Sequence, residues 1–228
     1  MTAEPVTPNQ TKRNETKPAE RRYAGMTADE RRAERRRRLP DTALELFGTD
    51  GYAYTGIERL CSNAGVTARH FYEEFGSREG LLVALYDDIV RTTLEAVAAA
   101  VAAAPRDDAW AMTRAGMLAF VHGMLDDPRR ARVQCLEVVG VSPELEARRR
   151  EVLHLYADLV SEQSRALGLG ETTSDRRRHA ASIALVGGTN ELLIEWLTGG
   201  EAYEATIDEL IDDLVRIYVA VGRDDGER

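Results

Sequence analysis

The sequence predicts an all-α protein of about nine helices. No segment alternates apolar and polar residues with the period of a strand. Apolar residues instead recur at i, i+3, i+4 and i+7, and Thr, Ser, Asp, Pro and Gly fall where helices start and stop.

Residues 1–26 are polar, rich in Thr, Pro, Glu and Lys, and carry almost nothing to bury, so a disordered tail is expected. Met26 is a second candidate start. From residue 27, Thr27-Ala28-Asp29-Glu30 fits a capping box and opens a very basic helix, "RRAERRRRL". Pro40 should kink or restart it, because an internal proline removes a hydrogen bond and crowds the preceding turn. Ala43, Leu44, Leu46 and Phe47 are expected to pack inward, and Gly48 to end the helix.

Ile57, Leu60, Cys61 and Ala64 mark one face of a short helix beginning at Thr55. Gly65 breaks it, and Thr67 caps the next. Two helices joined by a glycine turn within about twenty residues have the size of a helix-turn-helix unit. Ser77 starts a helix with no breaker before Pro105, and residues 77–104 are expected to connect the front of the chain to its body. Five further helices are expected, at 109–125, 128–138, 143–167, 174–197 and 202–221, with Asp127-Pro128 and Ser142-Pro143 as cap-plus-proline starts.

The 228 residues carry a net charge of −9, unevenly distributed. Through residue 80 there are 14 Lys and Arg against 13 Asp and Glu; beyond it, 16 against 26. A near-neutral front on an acidic body is compatible with binding a polyanion through the front alone. Cys61 and Cys135 stand far apart without metal-type spacing and read as reduced thiols. No apolar run is long enough to span a bilayer, so a cytoplasmic protein is expected.

The ordered set Ala43-Leu44-x-Leu46-Phe47-Gly48, Gly51-Tyr52, Thr55, Ala64-Gly65-Val66-Thr67, Phe71-Tyr72-x-x-Phe75 and Ser77-Arg78-Glu79 resembles the DNA-binding domain of TetR-family transcriptional regulators. The resemblance covers roughly residues 30–90. It implies a three-helix domain at 27–76 that reads DNA and a helical ligand-binding and dimerisation domain at 77–228. It further implies a homodimer through the last two helices on a palindromic operator, more often a repressor than an activator.

Candidate DNA contacts follow. A helical wheel puts Ala68, Phe71 and Phe75 inward and Arg69, His70 and Glu73 outward. Arg69 suits guanine, and His70 a base or phosphate. Thr55 and Thr67 are expected to cap helices whose free amides hold phosphate. The resemblance adds phosphate contacts for Tyr72 and Arg78, and Arg78 is otherwise out of place in a first helical turn. Glu73, one turn from Arg69, is expected to hold that arginine or accept from cytosine. The run at 31–38 is either a solvated face or an auxiliary DNA arm.

For an unknown small-molecule effector the body offers Trp110, Met117, Phe120, Met124, Val138, Leu155 and Trp196. His122, Cys135, Glu137, Tyr156 and Asn190 are its polar insertions. An alternative is a regulator whose body binds a protein partner instead. An enzyme is not expected, nor a cofactor or metal. The chain has no phosphate loop, no Gly-x-Ser-x-Gly and no His-Glu-x-x-His, and a di-iron bundle would need a second partner to its one Glu-x-x-His, Glu151 and His154.

Overall fold

The computed structural model describes residues 28–167, 174–199 and 205–223. Among them are nine α-helices, one π-helical turn and no strand. Residues 1–27, 168–173, 200–204 and 224–228 lie outside the described set, and with them the expected tail, the Thr27 cap and the start expected for the last helix.

Helix α1 (Ala28–Thr49) runs through Pro40 without a break, against the expected restart. The lost hydrogen bond is offset by burial, since Leu39, Ala43, Leu46 and Phe47 all lie in the core. Leu44 is only half-buried. Gly48 does not end the helix either. It makes room: a Cβ there would stand 2.4 Å from Arg129 Cβ and 2.9 Å from Arg129 Cα.

Helix α2 (Ile57–Ala64) buries Leu60, Cys61 and Ala64, and Gly65 closes it in the left-handed region at φ 64°. The Gly65 and Val66 amides donate back to Ser62 O and Cys61 O, which sets the tight turn into α3 (Ala68–Phe75). Phe71 of α3 is fully buried. Next, Ser77 caps α4 (Arg78–Ala103), its hydroxyl accepting from the Gly80 amide at 2.9 Å. At 26 residues this rod spans about 39 Å. Its buried row from Leu81 to Val97 crosses from the front of the molecule into the body.

Helix α5 (Ala109–Leu125) lies along α4 and also packs on the last helix. The segment expected as one regular helix from 128 to 138 is α6 (Pro128–Arg132) followed by the π-turn Val133–Glu137. The wider turn buries Val133, Gln134 and Cys135 in succession, which a regular helix of 3.6 residues per turn would not do on one face. Then come α7 (Pro143–Ala166), α8 (Asp175–Thr198) and α9 (Ile207–Arg223). In α9 Leu210, Ile211, Leu214, Val215 and Val219 are buried within the single chain, so much of the apolar stripe expected at a dimer interface is spent on the chain's own core.

Gly48→Ala should destabilise the fold by about 1–3 kcal/mol, because the added methyl meets α6 at its Cα and Cβ rather than at a flexible tip. Thermal unfolding of the variant checks this; an unchanged midpoint would mean that α1 and α6 are not in close contact.

Candidate nucleic-acid interface and effector cavity

Helix α3 begins where the Thr67 hydroxyl accepts the His70 amide at 3.3 Å, as its expected cap role requires. One residue into the helix, the Arg69 side chain is 88% exposed, and its Nε donates to Glu73 Oε1 at 2.8 Å. This bond raises the arginine's pKa further and aims the guanidinium along the outer face. Tyr72 shares that face, exposed, its ring edge-on to Phe71 at 5.6 Å.

Other expected contacts are placed differently. His70 is partly buried and its Nε2 is enclosed without a hydrogen-bond partner, so it is not an outward reader. Because α3 packs against both α2 and α4, its inward arc is wider than the two phenylalanines define, and it takes in His70 and Glu74. Ala68, expected inside, is exposed beside Arg69 instead. Only the tertiary packing reveals it.

Thr55 is not a cap. It is 0% exposed, and its hydroxyl donates to Gly51 O at 2.9 Å, which tightens the loop before α2. The N-cap is Gly56, without a side-chain bond. Arg78 also turns inward: Nη1 donates to Thr55 O at 2.9 Å, and the guanidinium lies 4.2 Å from the centroid of the Tyr52 ring. Its place in a first helical turn thus has a packing reason.

The same loop is gripped from the body. Glu137, at the end of the π-turn, accepts the Tyr52 amide on Oε2 at 2.7 Å and Arg132 Nε on Oε1 at 3.0 Å. Glu137 was a candidate for the cavity wall; the structure makes it a clasp between the body and the α1–α2 loop.

Helices α4, α5, α7, α8 and α9 enclose a cavity of about 150 Å³. Of the expected lining, Met117, Phe120, Tyr156 and Asn190 are present. The others lie elsewhere. Trp110 is 38% exposed at the start of α5, and Leu155 is exposed on α7. His122 bonds Asp126 at 2.9 Å along its own helix. Met124 and Val138 fill the core, and Trp196 donates from Nε1 to Ala205 O at 3.0 Å. Cys135 sits behind the wall, 3.9 Å from Asn190 Oδ1, and burial pushes its thiol up to about 12.

The sequence pattern did not single out Gln163, Ser182, Leu185, Thr189 or Tyr218, which also line the cavity. Thr189 and Tyr218 pair through their hydroxyls at 2.9 Å. Gln134, buried behind the wall, interacts with the Tyr156 side chain. The two cysteines are free and buried. Among the described residues no three His, Cys, Asp or Glu side chains gather as a metal site, and no helix is long and apolar enough to cross a membrane.

A capped, exposed helix after a glycine turn, mounted on an all-helical body with a cavity, is the architecture of a helix-turn-helix protein with a helical second domain. Residues 39–85 match the family model for bacterial regulatory proteins of the tetR family. The HTH-type transcriptional regulator BetI of Cronobacter sakazakii (strain ATCC BAA-894) is 38% identical over 93 residues, 41% of this chain. That stretch spans 44% of BetI, less than half of its length. Among solved structures, a TetR-family transcriptional regulator from Streptomyces coelicolor superposes with a TM-score of 0.65 at 23% identity, over 86% of this chain and 97% of its own. The transcriptional regulator FadR from Bacillus subtilis, solved in complex with stearoyl-CoA, gives 0.67 at 18% identity, over 84% and 99%. These likenesses show that the described helices share the fold of those structures.

Glu137→Ala leaves the Tyr52 amide and Arg132 without their partner and should cost about 1–3 kcal/mol. Calorimetric unfolding measures it, and an unchanged transition would show that the clasp contributes nothing. Glu73→Ala should change which DNA sequences are preferred while leaving the melting temperature in place, because the Arg69–Glu73 pair is solvent-exposed. A uniform gain in affinity for all sequences would mean that Glu73 only repels phosphate.

Proposed function

We propose that this protein is a sequence-specific, DNA-binding transcriptional regulator, a homodimeric repressor that a small-molecule effector releases from a palindromic operator. Residues 27–76 act as the reading head and 77–228 as the ligand-binding and dimerisation body, with 77–104 as the connector. The observation that carries this reading is the exposed Arg69, braced by Glu73 at the N-terminal end of a Thr67-capped helix within the family-matched segment. That end of such a helix normally enters the major groove, where an arginine bonds guanine N7 and O6. Tyr72, exposed on the same face, and the free amides at the Thr67 cap serve the phosphates.

Dimerisation through α8 and α9 is supported by Gly187 and Gly188, which face open space, and by Ile217 and Val221, which are exposed on α9. Effector binding is supported by the cavity and by the structural relative that carries stearoyl-CoA. A ligand between α4 and α9 would favour one spacing of the two heads over another and shift the population away from DNA.

Selection of bound sequences from random DNA tests the reading. It should enrich a palindrome with half-sites about one helical turn apart. No enrichment, or a single unpaired site, overturns it. In the same assay Arg69→Ala should relax discrimination at one position per half-site by about tenfold or more, whereas a loss that is equal across all sequences would reassign Arg69 to phosphate.

A further inference from the structure

The cavity runs lengthwise between the helices of the body, and its two ends differ in charge and in access. Toward its mouth stand Leu167 at the end of α7, Arg178 in the first turns of α8 and Val221 near the end of α9, and Val221 is exposed. Toward the interior stand Phe120, Tyr156 and Asn190, with Tyr156 only 9% exposed. Arg178 and Asn190 are twelve residues apart on α8, about 18 Å along the helix. A cavity of about 150 Å³ stretched over such a length is a narrow slot. Its middle is apolar, with Val97, Met117, Leu159 and Val186 on its walls.

The polar groups at the inner end are bonded within the chain. The Thr189 hydroxyl donates to Leu185 O at 2.8 Å and pairs with the Tyr218 hydroxyl at 2.9 Å. Tyr156 interacts with Gln134 behind the wall, and Asn190 Oδ1 faces the Cys135 thiol at 3.9 Å. An apolar group therefore enters there without leaving a new buried polar atom unpaired. The mouth is the opposite. Among the described residues that line the cavity, Arg178 is the one charged side chain, and no Asp or Glu stands there to receive a cation. Arg176 and Arg177 precede it, exposed, in a stretch of helix where the N-terminal dipole disfavours cations and favours anions. Asp175, the acid of that first turn, is taken by Arg165 at 3.2 Å. Arg178 keeps a contact of its own in the chain, and the five N–H donors of a guanidinium leave room for a planar carboxylate beside it.

We propose that the cavity takes a slender, unbranched apolar chain ending in a carboxylate, a medium-chain alkanoate in its simplest form, with the carboxylate at Arg178 and the chain reaching inward toward Phe120 and Tyr156. This rests on the effector-cavity reading above and gives it a ligand chemistry. The guanidinium and the dipole of α8 act together on the anion, and the apolar walls take the chain. Such a ligand lies against α8 and α9, the two helices of the proposed dimer contact.

Four probes test it on the full chain: octanoate, 1-octanol and octylamine, alike in length and unlike in charge, and adamantane-1-carboxylate, a globular carboxylate. Each is titrated by thermal shift and tryptophan fluorescence. Octanoate should bind about tenfold or more tightly than octanol or adamantane-1-carboxylate, and octylamine should not bind. Arg178→Met should remove the advantage of octanoate over octanol while leaving octanol unchanged, and Arg178→Lys should restore part of it. On the unaltered protein, rising salt should weaken octanoate and leave octanol as it was, a readout that needs no variant to fold. Octanol, octylamine or adamantane-1-carboxylate binding as tightly as octanoate, an undiminished octanoate affinity in Arg178→Met, or no binding of any probe overturns the inference. Anisotropy with the selected DNA separates the two readings. Octanoate binding without DNA release keeps the ligand class and removes its regulatory role. DNA release by octylamine alone keeps the regulator and removes the ligand class.

Discussion

One carboxylate ties the front of this molecule to its body. Glu137 reaches from the π-turn to the Tyr52 amide while Arg132 holds its other oxygen. The Tyr52 ring in turn carries the Arg78 guanidinium, and Arg78 bonds the carbonyl of Thr55. The body, the α1–α2 loop and the first turn of α4 thus form a continuous chain of charge-assisted contacts. The orientation of α3 depends on this chain, because α3 packs against α2 and α4.

The same π-turn faces the other way as well. Gln134 stands by Tyr156 of the cavity wall, and Cys135 stands by Asn190. Such π-helical turns recur at functional places. Five residues therefore connect a polar point beside the cavity to the loop between α1 and α2. Links between α4 and α7, Asp87 with Arg148 at 2.8 Å and Glu79 with Ser142, hold the rest of the frame.

Much of this was legible in the residues. Caps at Thr67, Ser77, Asp127 and Ser142 and the break at Gly65 placed the helices within a residue or two, because local hydrogen bonds decide helix ends. The pairing of Arg69 with Glu73 followed from helical spacing alone. What periodicity could not supply was tertiary. Thr55 looked like a cap but turns into the loop, and His70 fell on the outer side of a wheel that assumed one buried face where the structure has two. Pro40 looked like a break, but four buried neighbours carry the helix past it. In the body, Trp110 and His122 stood out as large or polar in apolar text, yet both are peripheral; the cavity is built from side chains of ordinary pattern, Leu185 and Thr189 among them.

The close crossing at Gly48 bears on how movement would travel. Contacts made by side chains absorb small displacements by changing rotamer, as a rubber bush absorbs vibration. At Gly48 the backbone of α1 meets the Cα and Cβ of Arg129, and neither side has a torsion to give. A shift of α6 is therefore delivered to α1 undamped, and it does not depend on ionic strength as the Glu137 clasp does. The body thus grips the front at points of opposite character, one stiff and indifferent to salt, the other charged and open to screening.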